Sequence, residues 1–356
     1  MMKPKVLAVL GGVLVVLALV SWATSRSKYS TAEGGGFEPI LEASLDTGSV
    51  QSVKAWLGSS PDSSVELSRA DEGWEVASRW GWPAKPEQVI KLFDDLAGLK
   101  GEKRASSEAV LGDFRIDDAG ALHVAGFGAG GTELFHLLVG KGALRGGEFV
   151  RRNGSNDVYL TPARLASSFG IWGDEPKPPD QKRWINLQVH KAERTDVDRI
   201  VLRQGSREIA FEKVFAEVEV PPATADTSGA AADTAAAAAP AGPTIDRTKW
   251  TWKPDRQGPF DQSTVDGILS TLCSIYATDV VDPAGIADYG LGEEARVAEL
   301  AFQDGTTKSI RFGKVSNADE GRVYFQVGDG DPAEIHKNTA DRIFKERSEF
   351  SPKKET

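Results

Sequence analysis

Four histidines, His123, His136, His190 and His336, and a single cysteine, Cys273, are the residues of this chain best suited to hold a metal or carry a nucleophilic step. No two histidines stand four apart, where one helix face would present both, and no cysteine pair accompanies them, so the zinc patterns are missing. His123 and His136 fall on segments that read as paired strands and could meet across a hairpin. Two imidazoles without a carboxylate or third ligand read as polar residues on a sheet face. Asp94-Asp95 and Asp117-Asp118 are paired acids, which on a solvated face are simply hydrated charge. Asp329-Gly330-Asp331 reads as a tight turn that lacks the remaining ligands of a calcium loop.

Gly126, Gly128 and Gly131 satisfy G-x-G-x-x-G, but a dinucleotide site needs a helix next, and TELFHLLVG reads as a strand. The corresponding stretch of the second half, FQDGTTK, carries an Asp-Gly hairpin signal, so both are read as turns. Ser167 and Ser168 have no G-x-S-x-G setting. Catalytic, cofactor-binding and metal residues are therefore expected to be none, and the chain is expected not to be an enzyme. Trp80 and Trp82, in the loop SRWGWP, are the candidate partner or glycan contacts, because exposed aromatics stack on sugars and seat in partners. Their bland alternative is to plug the end of a sheet. Cys273 sits in a helix and reads as a small buried apolar residue.

The elements that position these residues are written twice. Val89, Leu92, Phe93, Leu96 and Leu99 form an apolar stripe at helical spacing in PAKPEQVIKLFDDLAGL, and Val265, Ile268, Leu269, Leu272 and Ile275 repeat it 176 residues later. Pro86 suits the first turn of one helix, and Asp261 or Ser263 could cap the other. Strands VQSVKAWL and SSVELSR match VDRIVLRQ and REIAFEKV at offsets near 147 and 144, and Trp74 matches Trp250 at 176. The jump equals the span 216–247, an Ala/Pro/Thr-rich segment read as a disordered insertion.

Residues 1–30 carry four basic groups and no acid, which leaves 38 basic and 52 acidic groups in the rest, a net −14. An acidic body argues against nucleic acid as a partner. Lys3 and Lys5 precede an uncharged run from Val6 to Trp22, expected to be a single-pass anchor or else a cleaved signal, with the body exported in either case.

Taken together, the strand tryptophans Trp74 and Trp250, the leucine-rich helices, the segments Asp113-Phe114-Arg115-Ile116 and Asp288-Tyr289-Gly290-Leu291, and the strand ends Gly140-Lys141 and Gly313-Lys314 resemble the DUF4340 family, a bacterial domain of unknown function. The resemblance covers about Val50 to Phe344 and implies an N-terminal membrane helix followed by a duplicated α+β unit. By association with relatives, it implies an accessory role beside gliding-motility and ABC-type export components. Phe-Arg-Ile stands where the family pattern has an aromatic-Gly-Leu turn, and the Ala/Pro-rich insertion is not part of that pattern.

The expected fold is α+β: a transmembrane helix, then two tandem related units, each an antiparallel sheet packed with one main helix. The expected divisions are 1–24 anchor, 25–48 tether, 49–170 first unit, 171–194 connector, 195–347 second unit with the insertion 216–247, and 348–356 tail. The expected protein is a non-catalytic, membrane-anchored periplasmic accessory or scaffold of the inner membrane, with a protein partner such as an ABC permease. A polysaccharide- or peptidoglycan-binding module is the alternative, and a hydrolase with a non-local site is a third class.

Overall fold

The computed structural model describes residues 36–41, 45–143, 146–173, 175–218, 244–255, 260–317 and 320–350. They divide into two compact units, one ending at Asn186 and the other beginning at Leu187.

In the first unit, alternation builds the sheet. β2 (Ser52–Leu57) buries Val53, Ala55 and Leu57, and turns Ser52, Lys54 and Trp56 to the other face. β3 (Ser60–Ala70) and β4 (Gly73–Val76) continue the meander. β5 (Trp82–Pro83) adds a short edge, which suits proline because an edge strand needs no outward donor. Helix α1 (Pro86–Ala97) starts on Pro86, whose missing N–H costs nothing there, and buries Val89, Leu92 and Leu96. β1 (Glu38–Pro39), β6 (Lys100–Ala105), α2 (Leu111–Phe114), β7 (Leu122–Phe127), β8 (Glu133–Gly142), β9 (Glu148–Arg152), β10 (Val158–Thr161) and α3 (Leu165–Ser168) complete the unit. The sheet has ten strands in the order β1-β6-β10-β9-β8-β7-β2-β3-β4-β5, all pairs antiparallel.

The second unit holds β11 (Gln188–Lys191), β12 (Val197–Gln204), β13 (Arg207–Val218), β14 (Thr244–Pro254), α4 (Gln262–Leu272), β15 (Ser274–Tyr276), β16 (Asp279–Val280), β17 (Arg296–Phe302), β18 (Thr307–Asn317), β19 (Arg322–Val327), β20 (Ala333–His336) and α5 (Lys337–Ile343). Its main sheet runs β14-β13-β12-β17-β18-β19-β20-β16, and β11 pairs with β15 in a separate ribbon. Matched in chain order, β4-β3-β2-β7-β8-β9-β10 of the first unit and β14-β13-β12-β17-β18-β19-β20 of the second run in the same sequence across their sheets. Asp261 caps α4 by accepting from the backbone N–H of Ser263 at 2.9 Å.

The two glycine strand ends show why small residues recur. A Cβ on Gly140 would lie 2.2 Å from the Phe114 carbonyl oxygen, and one on Gly313 would lie 2.1 Å from that of Tyr289. Both strands are thus approached by the backbone of the turn ahead of them. That turn takes a left-handed residue in each unit: Gly290 at φ 68° and Arg115 at φ 54°. Arginine bears the Cβ penalty there that glycine avoids.

The structure corrects the expected fold class. Two large antiparallel sheets of ten and eight strands dominate, and the helices are short, so these are not two helix-packed α+β units. The stripe of α1 was legible, but the polar strand KGEKRA (β6) and the two-residue β5 lack an alternating signal, and they enlarge the sheet beyond what one helix defines. The expected inner-membrane, single-pass location is overturned too. Among the described residues, no helix is long and apolar enough to cross a membrane. The segment 6–22 on which that expectation stood lies outside the described residues.

Other expected boundaries meet the structure differently. Within the proposed tether, Glu38–Pro39 pairs with β6 and Ile40 is fully buried. Within the proposed connector, Trp184 and Ile185 are fully buried, and Ile185 bridges to Ala84. The ends of the proposed insertion are paired strand, Ala216 with Asp246 and Val218 with Thr244, and residues 219–243 lie outside the described residues.

Candidate functional site

The two units differ where α1 and α4 meet the strands before them. In each unit a cation on the second strand stands opposite a tryptophan on the third. Arg69 is the ladder partner of Trp74, and Lys213 is that of Trp252. In each the cation donates to a carbonyl beside the short 3-10 turn ahead of the first strand: Arg69 Nε to Val50 at 3.3 Å, and Lys213 Nζ to Arg194. By this register Trp74 corresponds to Trp252, two residues beyond the Trp250 expected from the sequence. The helices keep the offset of 176, since Val89, Leu92 and Leu96 are buried as Val265, Ile268 and Leu272 are.

In the second unit the junction is filled. Lys213 is buried, with Nζ 3.9 Å from the Trp250 ring centroid and 5.4 Å from that of Trp252. Both indole N–H groups donate to Asp266 Oδ1, at 3.1 and 2.9 Å. Burial pushes the Lys213 ammonium down to about 8, and burial pushes the neighbouring Cys273 thiol up to about 11. Cys273 is thus a buried, free and weakly acidic thiol at the helix end.

In the first unit the junction is an open groove of about 520 Å³. Trp74, Phe93, Val89 and Ile90 form its apolar wall, and Arg69, Glu72 and Asp94 its polar rim. The Trp74 and Phe93 rings are 5.1 Å apart, and the Arg69 guanidinium lies 5.1 Å from the Trp74 centroid. Ile90 corresponds to Asp266 and is 61% exposed, a large apolar side chain left in water beside two half-buried aromatics. The helical stripe did not include Ile90. An apolar residue out of register with its own stripe is the signal in the sequence that could have found this wall.

The residues singled out from sequence fall elsewhere. Trp82 is 5% exposed and part of the core, while Trp80 is 45% exposed in a left-handed turn, with Arg79 over its ring at 5.2 Å. A glycan face would therefore rest on Trp80 without Trp82. Gly126 lies on β7, Gly128 and Gly131 lie in the turn that joins it to antiparallel β8, and a Cβ on Gly126 would strike the Phe135 ring at 2.1 Å. Asp95 pairs with Lys91 at 2.5 Å on the surface of α1.

His123 and His136 do meet, Nδ1 to Nε2 at 3.0 Å, on one face of the β7–β8 pair, with Trp56 stacked 4.9 Å from His123. His123 Nε2 lies 2.8 Å from the Asp118 carbonyl, which can only accept, so His123 carries its proton on Nε2 and accepts from His136 on Nδ1. One nitrogen lone pair remains, on His136 Nδ1, 3.5 Å from Glu133. Burial holds His136 below its ordinary value, against the pull of Glu133. Three of the four ring nitrogens are thus engaged, two with each other and one with the Asp118 carbonyl, and among the described residues no group of three metal-binding side chains occurs. A separate cleft of about 760 Å³ in the second unit is lined mainly by polar groups of α4 and the C-terminal residues, including Asp261, Thr271, Arg342 and Lys345.

Comparison with known proteins found no match among curated proteins and none among solved structures. A family model described as a domain of unknown function, DUF4340, matches residues 74–241 and 250–354. Those two segments span most of both units, including α1, α4 and the junction tryptophans Trp74, Trp250 and Trp252, and the chain belongs to the DUF4340 family.

Proposed function

We propose that the chain is a non-catalytic accessory or scaffolding module that holds a protein partner in the groove of the first unit. The observation that carries this reading is the contrast between two junctions built on one strand order. One is closed by its own Trp250 and latched to Asp266, and the other is open over Trp74, Phe93 and Ile90. An exposed apolar wall with a polar rim is the anatomy of a protein contact. The groove offers a wall and a cation rather than a nucleophile with its base, so binding is proposed instead of turnover. The partner class implied by the family resemblance is a component of an ABC-type transport or motility machine.

Site-directed photo-crosslinking in cells tests the proposal. A crosslinking amino acid at Ile90 should give one discrete adduct that disappears with Trp74→Ala. The same group at Tyr276, exposed in the second unit, should give none. The absence of an adduct from Ile90, or equal smears from both positions, would overturn the reading.

A further inference from the structure

We infer that the groove receives a phenylalanine side chain of the protein partner, with a basic residue beside it in the partner's sequence. This inference rests on the groove being the partner's seat.

The second unit shows what this space takes when the chain fills it: a flat ring, Trp250, under the Lys213 ammonium, with its N–H donated to Asp266. In the first unit the residue two before Trp74 is Glu72, in a turn, so that position supplies no ring, and among the described residues the space stays open. The helix position of Asp266 is taken by Ile90. An indole buried against Ile90 leaves its N–H without that acceptor, which weakens binding by about fivefold or more. A phenyl ring has no such group to satisfy. The rim carries Glu72 and Asp94, and among the described residues neither is held in an ion pair. Those carboxylates complement a lysine or arginine next to the docked ring.

The test uses the full chain with its tryptophan indoles labelled for NMR. The probes are N-acetyl-lysyl-phenylalaninamide, its tryptophan counterpart, and N-acetyl-glutamyl-phenylalaninamide at millimolar concentration. The Trp74 indole signal, identified by its loss in Trp74→Phe, should shift and saturate with the lysyl-phenylalanine probe. The tryptophan probe should bind about fivefold more weakly or worse. The glutamyl probe should lose up to about fivefold, the range of an exposed ion pair. The Trp250 and Trp252 signals should not move. Ile90→Asp, an exposed change that recreates the acceptor of the second unit, should reverse the order of the phenylalanine and tryptophan probes. An unmoved Trp74 signal, equal affinity for all three probes, or an unchanged order in Ile90→Asp would overturn the inference. If the Ile90 photo-adduct still forms in that event, the groove remains the partner's seat and only the identity of the docked side chain falls.

Discussion

Leu96→Ala and Leu272→Ala should each lower the free energy of unfolding by roughly 2–5 kcal/mol, the range for emptying a packed leucine site. Leu96 is 1% exposed and Leu272 is fully buried, so neither cavity can fill with water at little cost. They occupy equivalent turns of α1 and α4, and each belongs to the buried stripe of its helix. The control is Asp95→Ala. Its surface pair with Lys91, four residues away, is worth only ~0.3–0.5 kcal/mol. Urea unfolding of the three variants provides the comparison. A larger loss from Asp95→Ala than from Leu96→Ala would mean that the register assigned to α1 is wrong.

The second large effect is tied to pH. Glu148, at the start of β9, is buried, and its Oε2 accepts from the Ala166 N–H at 3.1 Å, at the start of α3. Burial raises its carboxyl to about 7, against the pull of the Ala166, Leu165 and Ser167 N–H groups and of Arg164. A carboxyl whose folded value lies above its unfolded one favours the folded state in its protonated form. The stabilisation is complete below about 4.5 and is lost as pH rises through about 7. Glu148→Gln keeps an acceptor for Ala166 and has no charge to desolvate. It should match the native chain at pH 4.5 and exceed it above pH 7 by roughly 2–4 kcal/mol, at about 1.4 kcal/mol for each unit of displacement. Chemical unfolding across that range measures the gap. A gap that shrinks as pH rises would mean that the Glu148 carboxylate is held in its charged form.

How much of this was readable before the structure depends on which residues carry periodicity. The stripe of Val89, Leu92 and Leu96, and its copy at Val265, Ile268 and Leu272, is a strong pattern because a helix must turn one face to the core. The His123–His136 contact was legible because both residues alternate on neighbouring strands of a hairpin. The full sheet was not. Lys100–Ala105 reads KGEKRA, and its strand state is set by pairing with β1 and β10 rather than by its own side chains. The burial of Trp82 was hidden for a related reason. A tryptophan two residues from an exposed one looks the same until β5 pairs with β4 and turns it inward. The groove escaped notice because it is a difference between copies. Ile90 against Asp266 carries meaning only once Arg69 and Lys213 are seen to face Trp74 and Trp252.

The central claim is that the first junction is occupied by a partner in the cell while the second is occupied by the chain itself. Hydroxyl-radical footprinting, performed in living cells and on the purified full chain, tests it most directly. Ile90 and Phe93 should be oxidised readily in the purified chain and become protected in cells. Tyr276 and Ile286, exposed in the second unit, should react equally in both, and Trp250 should change little. Equal oxidation of Ile90 and Phe93 in cells and in the purified chain would contradict the account.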